Sequence, residues 1–90
     1  MINTIKDLKE KYGNNINNYD WNKISKDEEL SEKFMIDNRY KLNWNLISVY
    51  QKLTLDFIEL NSDLVNMSYI VDYQELDSNT ISMLKSKYNV

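Results

Sequence analysis

Apolar side chains recur along this chain at a fixed step. Trp21, Trp44 and Met67 stand 23 residues apart, and the same step joins Ile24, Ile47 and Ile70, then Leu30, Leu53 and Leu76. Phe34 and Phe57 keep it, with Met35, Ile58 and Ile81 one position on. The polar positions keep it too: Asp20, Asn43 and Asn66 each precede the Trp or Met position, and Asn89 continues the series. A period of this length marks a repeated supersecondary unit, each copy of which buries its apolar face against the next.

Within a unit the polar and apolar positions predict two short helices. Asp20, Asn43 and Asn66 can accept from the free amides of a first turn, so they open helix A over about 21–26, 44–50 and 67–73. Ser31, Thr54 and Asp77 do the same for helix B over about 32–40, 55–63 and 78–88. In the middle unit Leu53, Phe57, Leu60 and Leu64 predict a core-facing stripe. Helix A is too short to stand alone, so its Trp must pack against helix B and the next unit.

The start of the chain repeats its end. Asn3-Thr4-Ile5-x-x-Leu8-Lys9-x-Lys11-Tyr12 matches Asn79-Thr80-Ile81-x-x-Leu84-Lys85-x-Lys87-Tyr88. The offset is three periods and seven residues. Residues 3–12 therefore read as the second helix of an earlier unit, ended by Gly13 in a left-handed cap and joined to the first full unit by the linker 13–19. The expected architecture is all-α: one domain over 1–90, with units at 20–42, 43–65 and 66–88 stacked as a small α-solenoid-like array behind an N-terminal helix.

Composition sharpens this. Ninety residues make one small core. There is no Cys, His or Pro and only one Gly, so a disulfide frame, a thiolate metal cluster and the commonest general base are all missing, and all-β punctuation with them. No cofactor and no metal are expected. Residues 1–43 carry eight basic and eight acidic side chains, whereas 44–84 carry Asp56, Glu59, Asp63, Asp72, Glu75 and Asp77 against Lys52 alone. A net charge of -3 argues against direct nucleic-acid binding, which calls for a basic face. No apolar run spans a bilayer and no signal peptide opens the chain, so the expectation is a cytoplasmic protein with no membrane partner.

The pattern Trp-x-x-Ile-Ser-x-x-Gln-x-Leu-Ser/Thr-x-x-Phe-Ile resembles a 23-residue repeat of giant-virus and phage proteins. Residues 42–58 fit it almost throughout; the first unit has Glu28 for Gln, and the third has Met67 for Trp and Thr80 for Phe. The resemblance covers 19–90 and implies a binding scaffold of viral or mobile-element origin, without catalytic residues.

Candidate chemistry is thin. Ser25 and Ser48 recur at the repeat step without any His partner, which points to a role at a helix end. Asp27, Glu28 and Glu29 read as a solvated turn, and Gln51 and Gln74 as backbone-bonding side chains in the turn between helices. The acidic residues Asp56, Glu59, Asp63, Asp72, Glu75 and Asp77 are not required by the repeat; they form either a solubilising face or a lure for a basic partner. Tyr50, Tyr69 and Tyr73 would supply contact area among them. These residues suggest a non-enzymatic interaction protein that binds and blocks a host protein with a basic surface, of the defence or CRISPR nuclease type. A self-associating scaffold unit is the alternative.

Overall fold

The computed structural model describes residues 1–90 and is all-helical. Seven α-helices follow one another: α1 (Ile5–Tyr12), α2 (Trp21–Asp27), α3 (Glu32–Asp37), α4 (Trp44–Tyr50), α5 (Leu55–Leu60), α6 (Met67–Tyr73) and α7 (Ser78–Tyr88), with a 3-10 turn at Ile16–Asn18 in the linker. The even helices α2, α4 and α6 are the A helices of the three units, and α4 packs between α2 and α6. Stacking draws the chain into a rod of 44 × 19 × 18 Å.

Every cap foreseen for a unit is present. Asp20, Asn43 and Asn66 accept from the amides of Lys23, Leu46 and Tyr69, and Ser31, Thr54 and Asp77 from those of Phe34, Phe57 and Thr80. α1 starts at Ile5 rather than residue 3, because Thr4 is its cap: the Thr4 hydroxyl accepts from Asp7, whose carboxylate accepts in return from the Asn3 and Thr4 amides. Gly13 follows at φ 90°, ψ 177°. This is a positive-φ conformation open essentially to glycine, but it is not the left-handed cap expected.

Helix B differs between units, for a visible reason. α3 and α5 stop at residues 37 and 60, three short of expectation, whereas α7 runs to Tyr88. Asn38 and Asn61 turn their side-chain amides back onto the Phe34 and Phe57 carbonyls, both at 3.0 Å. That local bond competes with the helix ladder. The third unit has Leu84 at the equivalent place, where it is fully buried, and its helix continues.

The early stop also moves the core face. Leu60, expected inside, is 83% exposed; Phe57, Ile58 and Val65 take the buried positions with Leu53. One contiguous core runs the length of the rod through Ile24, Ile47 and Ile70, with Leu8 and Leu84 sealing its two ends. Trp44 is only half-buried: it stacks on Phe57 with ring centres 6.3 Å apart while its indole N–H donates to the Arg39 carbonyl at 2.8 Å. Asn89 closes α7 in a left-handed conformation, φ 56°, ψ 50°, with its amide donating to the Lys85 carbonyl.

Candidate functional site

Between units the polar positions form a ladder of side-chain rungs, and what the ladder uses is not available for function. The buried Gln51 reaches back from unit 2: its Oε1 accepts from the Leu30 amide at 3.1 Å, and its Nε2 donates to the carbonyls of Ser25 and Glu28 at 2.9 and 2.6 Å. Gln74 repeats this on unit 2, with Leu53 at 3.3 Å and with Ser48 and Gln51 at 2.9 and 2.7 Å. Only a neutral amide side chain offers both acceptor and donor to such a turn.

Two further rungs run alongside. Ser25 and Ser48 are fully buried, donate to the carbonyls of Trp21 and Trp44, both at 2.7 Å, and accept from the amides of Asn43 and Asn66 in the next unit. The Asn43 and Asn66 side chains, besides capping their own helices, donate to Asn22 and Asn45 of the preceding unit at 3.0 Å. No buried side-chain nitrogen or oxygen is left without a partner. Ser25 and Ser48 are therefore structural hydroxyls.

Glu28 corrects the solvated reading of residues 27–29. It holds the Gln place in unit 1 but is buried, accepting from the Lys11 ammonium at 2.9 Å and from the Tyr12 hydroxyl, both on α1. Burial pushes its carboxyl up, but the bonds from Lys11 and Tyr12 outweigh that and hold it below the usual carboxylate range. The same bond, with burial, pushes the Tyr12 phenol up to about 12.

The residues expected to meet a partner fall into two groups. Tyr50, Tyr69 and Tyr73 come together. They line a groove between α4 and α6 with Leu46 and Val49, and Tyr69 meets Tyr73 edge to face at 5.9 Å. Around the end of this groove Tyr50 and Tyr73 share a hollow with Glu75 and Lys52. Asp72 is exposed on α6 next to Tyr73 in sequence. All three tyrosines are exposed, and the Lys26 ammonium sits 5.3 Å above the Tyr50 ring.

The remaining acidic residues line no part of that groove. Asp56, Glu59 and Asp63 line none of the hollows in the surface. Glu59 is half-buried and pairs with Lys87 of α7 at 3.2 Å, which raises the Lys87 ammonium above its usual value. Asp77 is the cap of α7, and the Thr80 amide bonded to it at 2.7 Å lowers its carboxyl.

Leu46 and Val49 were not foreseen in the groove. The signal was in the columns of the repeat: Tyr50 and Tyr73 stand where unit 1 has Asp27, and Tyr69 stands where units 1 and 2 have Lys23 and Leu46. No group of three or more acidic, His or Cys side chains is gathered so as to hold a metal ion. No helix is long and apolar enough to cross a membrane. No family model, curated protein or solved structure matches the chain.

Proposed function

We propose that the chain is a non-catalytic protein-binding module, whose contact face is the tyrosine groove of α4 and α6 and whose partner offers a Lys- and Arg-rich surface. The observation that supports this most is that the fold does not need these tyrosines. Unit 1 builds the same helix with Asp27 and Lys23 in their places, and no hydrogen bond of the fold uses a phenol of Tyr50, Tyr69 or Tyr73. Exposed tyrosines at one place supply area at small entropic cost, and their faces accept cations, as Tyr50 does from Lys26. Asp72 and Glu75 beside them complement a basic partner, and residues 44–84 hold six acidic side chains against one Lys.

The resemblance to a repeat of giant-virus and phage proteins extends the proposal to the kind of target: a host protein with a basic surface, of the defence-nuclease type, blocked by stoichiometric occupation of that surface in the host cytoplasm. The test is capture of the target by immobilised protein, with the Tyr50→Ala, Tyr73→Ala double variant alongside. The parent should retain a basic protein that salt releases and the folded double variant should not. Equal retention by both would reject the groove. A Glu75→Lys, Asp72→Lys variant should lose the salt-sensitive part, whereas reversal of Asp56 and Asp63 should leave capture intact.

A further inference from the structure

The hollow that Tyr50 and Tyr73 share has a counterpart one unit earlier. Tyr73, Gln74 and Leu53 line the later hollow, between units 2 and 3; their matches 23 residues before, Tyr50, Gln51 and Leu30, line the earlier one, between units 1 and 2. The two differ in charge. The earlier hollow includes Lys26, an exposed side chain of α2 whose ammonium lies 5.3 Å from the centre of the Tyr50 ring. The later one has Val49 at that position, half-buried and uncharged, so the equivalent Tyr73 ring has no cation of the chain over it. It has Tyr50 where the earlier hollow has Asp27, which gives it a second aromatic wall, and Glu75 where the earlier hollow has Lys52. Glu75 is exposed and in no ion pair.

We infer, resting on the reading of the tyrosine groove as a contact face, that the later hollow is the seat of one arginine side chain of the partner, which takes over Tyr73 the place that Lys26 takes over Tyr50. The face of a phenol ring attracts a cation, and the earlier hollow shows that this arrangement of walls receives one. The later hollow keeps the tyrosine and omits the lysine, so the place is left to a cation from outside. A guanidinium suits it better than an ammonium: it is planar and weakly hydrated, it stacks on aromatic faces, and two of its N–H groups can donate side by side to the Glu75 carboxylate. In this chain the Arg39 guanidinium lies 4.7 Å from the Tyr40 ring, nearer than any Lys ammonium comes to a tyrosine. Lys52 is the one charge lining the hollow that opposes a cation. Val49, Tyr50 and Tyr73 also line the groove between α4 and α6, so an arginine in this seat leads its neighbours along the partner chain into the groove.

The experiment is an NMR titration of the full chain with the blocked peptide acetyl-Gly-Arg-Gly-amide and with its lysine counterpart, following the tyrosine ring signals and the Gln74 and Glu75 amides. The arginine peptide should give saturable shifts at Tyr73 and Glu75, and the lysine peptide weaker ones. Val49→Lys gives the later hollow the lysine of the earlier one, at a position where unit 1 already carries it. With both tyrosines and Glu75 in place, it should weaken the arginine peptide about tenfold by filling the seat in cis. Lys26→Val should do the reverse and add a second set of saturable shifts at Tyr50. If Val49→Lys does not fold, the exposed Glu75→Gln takes its place, with the same direction expected. No saturable shift at Tyr73, equal affinity in the parent and Val49→Lys, or a lysine peptide that binds as tightly as the arginine one overturns the inference. If the parent still captures a basic protein that the Tyr50→Ala, Tyr73→Ala variant does not, the arginine seat alone falls; if that capture fails as well, the contact face falls with it.

Discussion

Glu28 and Gln51 hold the same place in consecutive units and do different work. Gln51 has a unit before it, whose turn offers one amide and two carbonyls; the neutral side chain meets all three. Glu28 has α1 before it, which offers an ammonium and a phenol, both donors; a carboxylate meets those. One position therefore reports what lies on its N-terminal side: an amide for a turn of backbone, an acid for a helix carrying Lys and Tyr. The change from Gln to Glu in the repeat pattern is a junction between two kinds of contact.

Substitutions should separate the two. Gln51→Ala leaves the Leu30 amide and two carbonyls buried without partners and should cost about 3 kcal/mol in chemical unfolding. Gln74→Ala should cost less, because its turn is less enclosed. Ser48→Ala removes the acceptor of the Asn66 amide and should cost about 1–3 kcal/mol, read the same way. An unchanged midpoint for either Gln51→Ala or Ser48→Ala would mean that apolar packing alone sets the stack.

Glu28→Gln should change the shape of the pH dependence more than the stability at neutral pH. Because the folded Glu28 carboxyl lies below its ordinary value of 4.5, its contribution is present above that pH and is lost as pH falls through the folded value. The Tyr12 phenol, raised from 10.0 to about 12, contributes fully below pH 10 and loses that contribution as pH rises towards 12. Thermal melts across pH should show both slopes in the parent and shallower ones in the variant, where Asp77 and Lys87 still titrate with shifts of their own. The smallest effect is expected at Tyr73→Ala, an exposed side chain without hydrogen bonds: a stability change within about 0.5 kcal/mol, so that any lost binding is not lost folding.

Much of this fold was legible in the sequence. The 23-residue step located the N-terminal caps of helices α2 to α7, because capping needs a particular side chain at a particular offset and the repeat prints it three times. The ends of helix B were not legible from the apolar pattern, since Asn38 and Asn61 end α3 and α5 by a bond the hydrophobic period does not record, and Leu60 was misplaced with them. That Asn89 closes α7 was not legible either, because an Asn can cap either end of a helix and its φ of 56° is a property of the fold. The tyrosines could be named from sequence, but their meeting in one groove depends on which helices stack, a long-range property.

Amide hydrogen exchange at Leu30 and Leu53 tests the ladder most directly, because each amide donates to a glutamine side chain of the next unit. In the parent both should be protected. In Gln51→Ala, Leu30 should exchange far faster while Leu53, still served by Gln74, keeps its protection relative to its neighbours. Unchanged protection at Leu30, or an equal loss at both amides, would contradict a stack held unit by unit through these side chains.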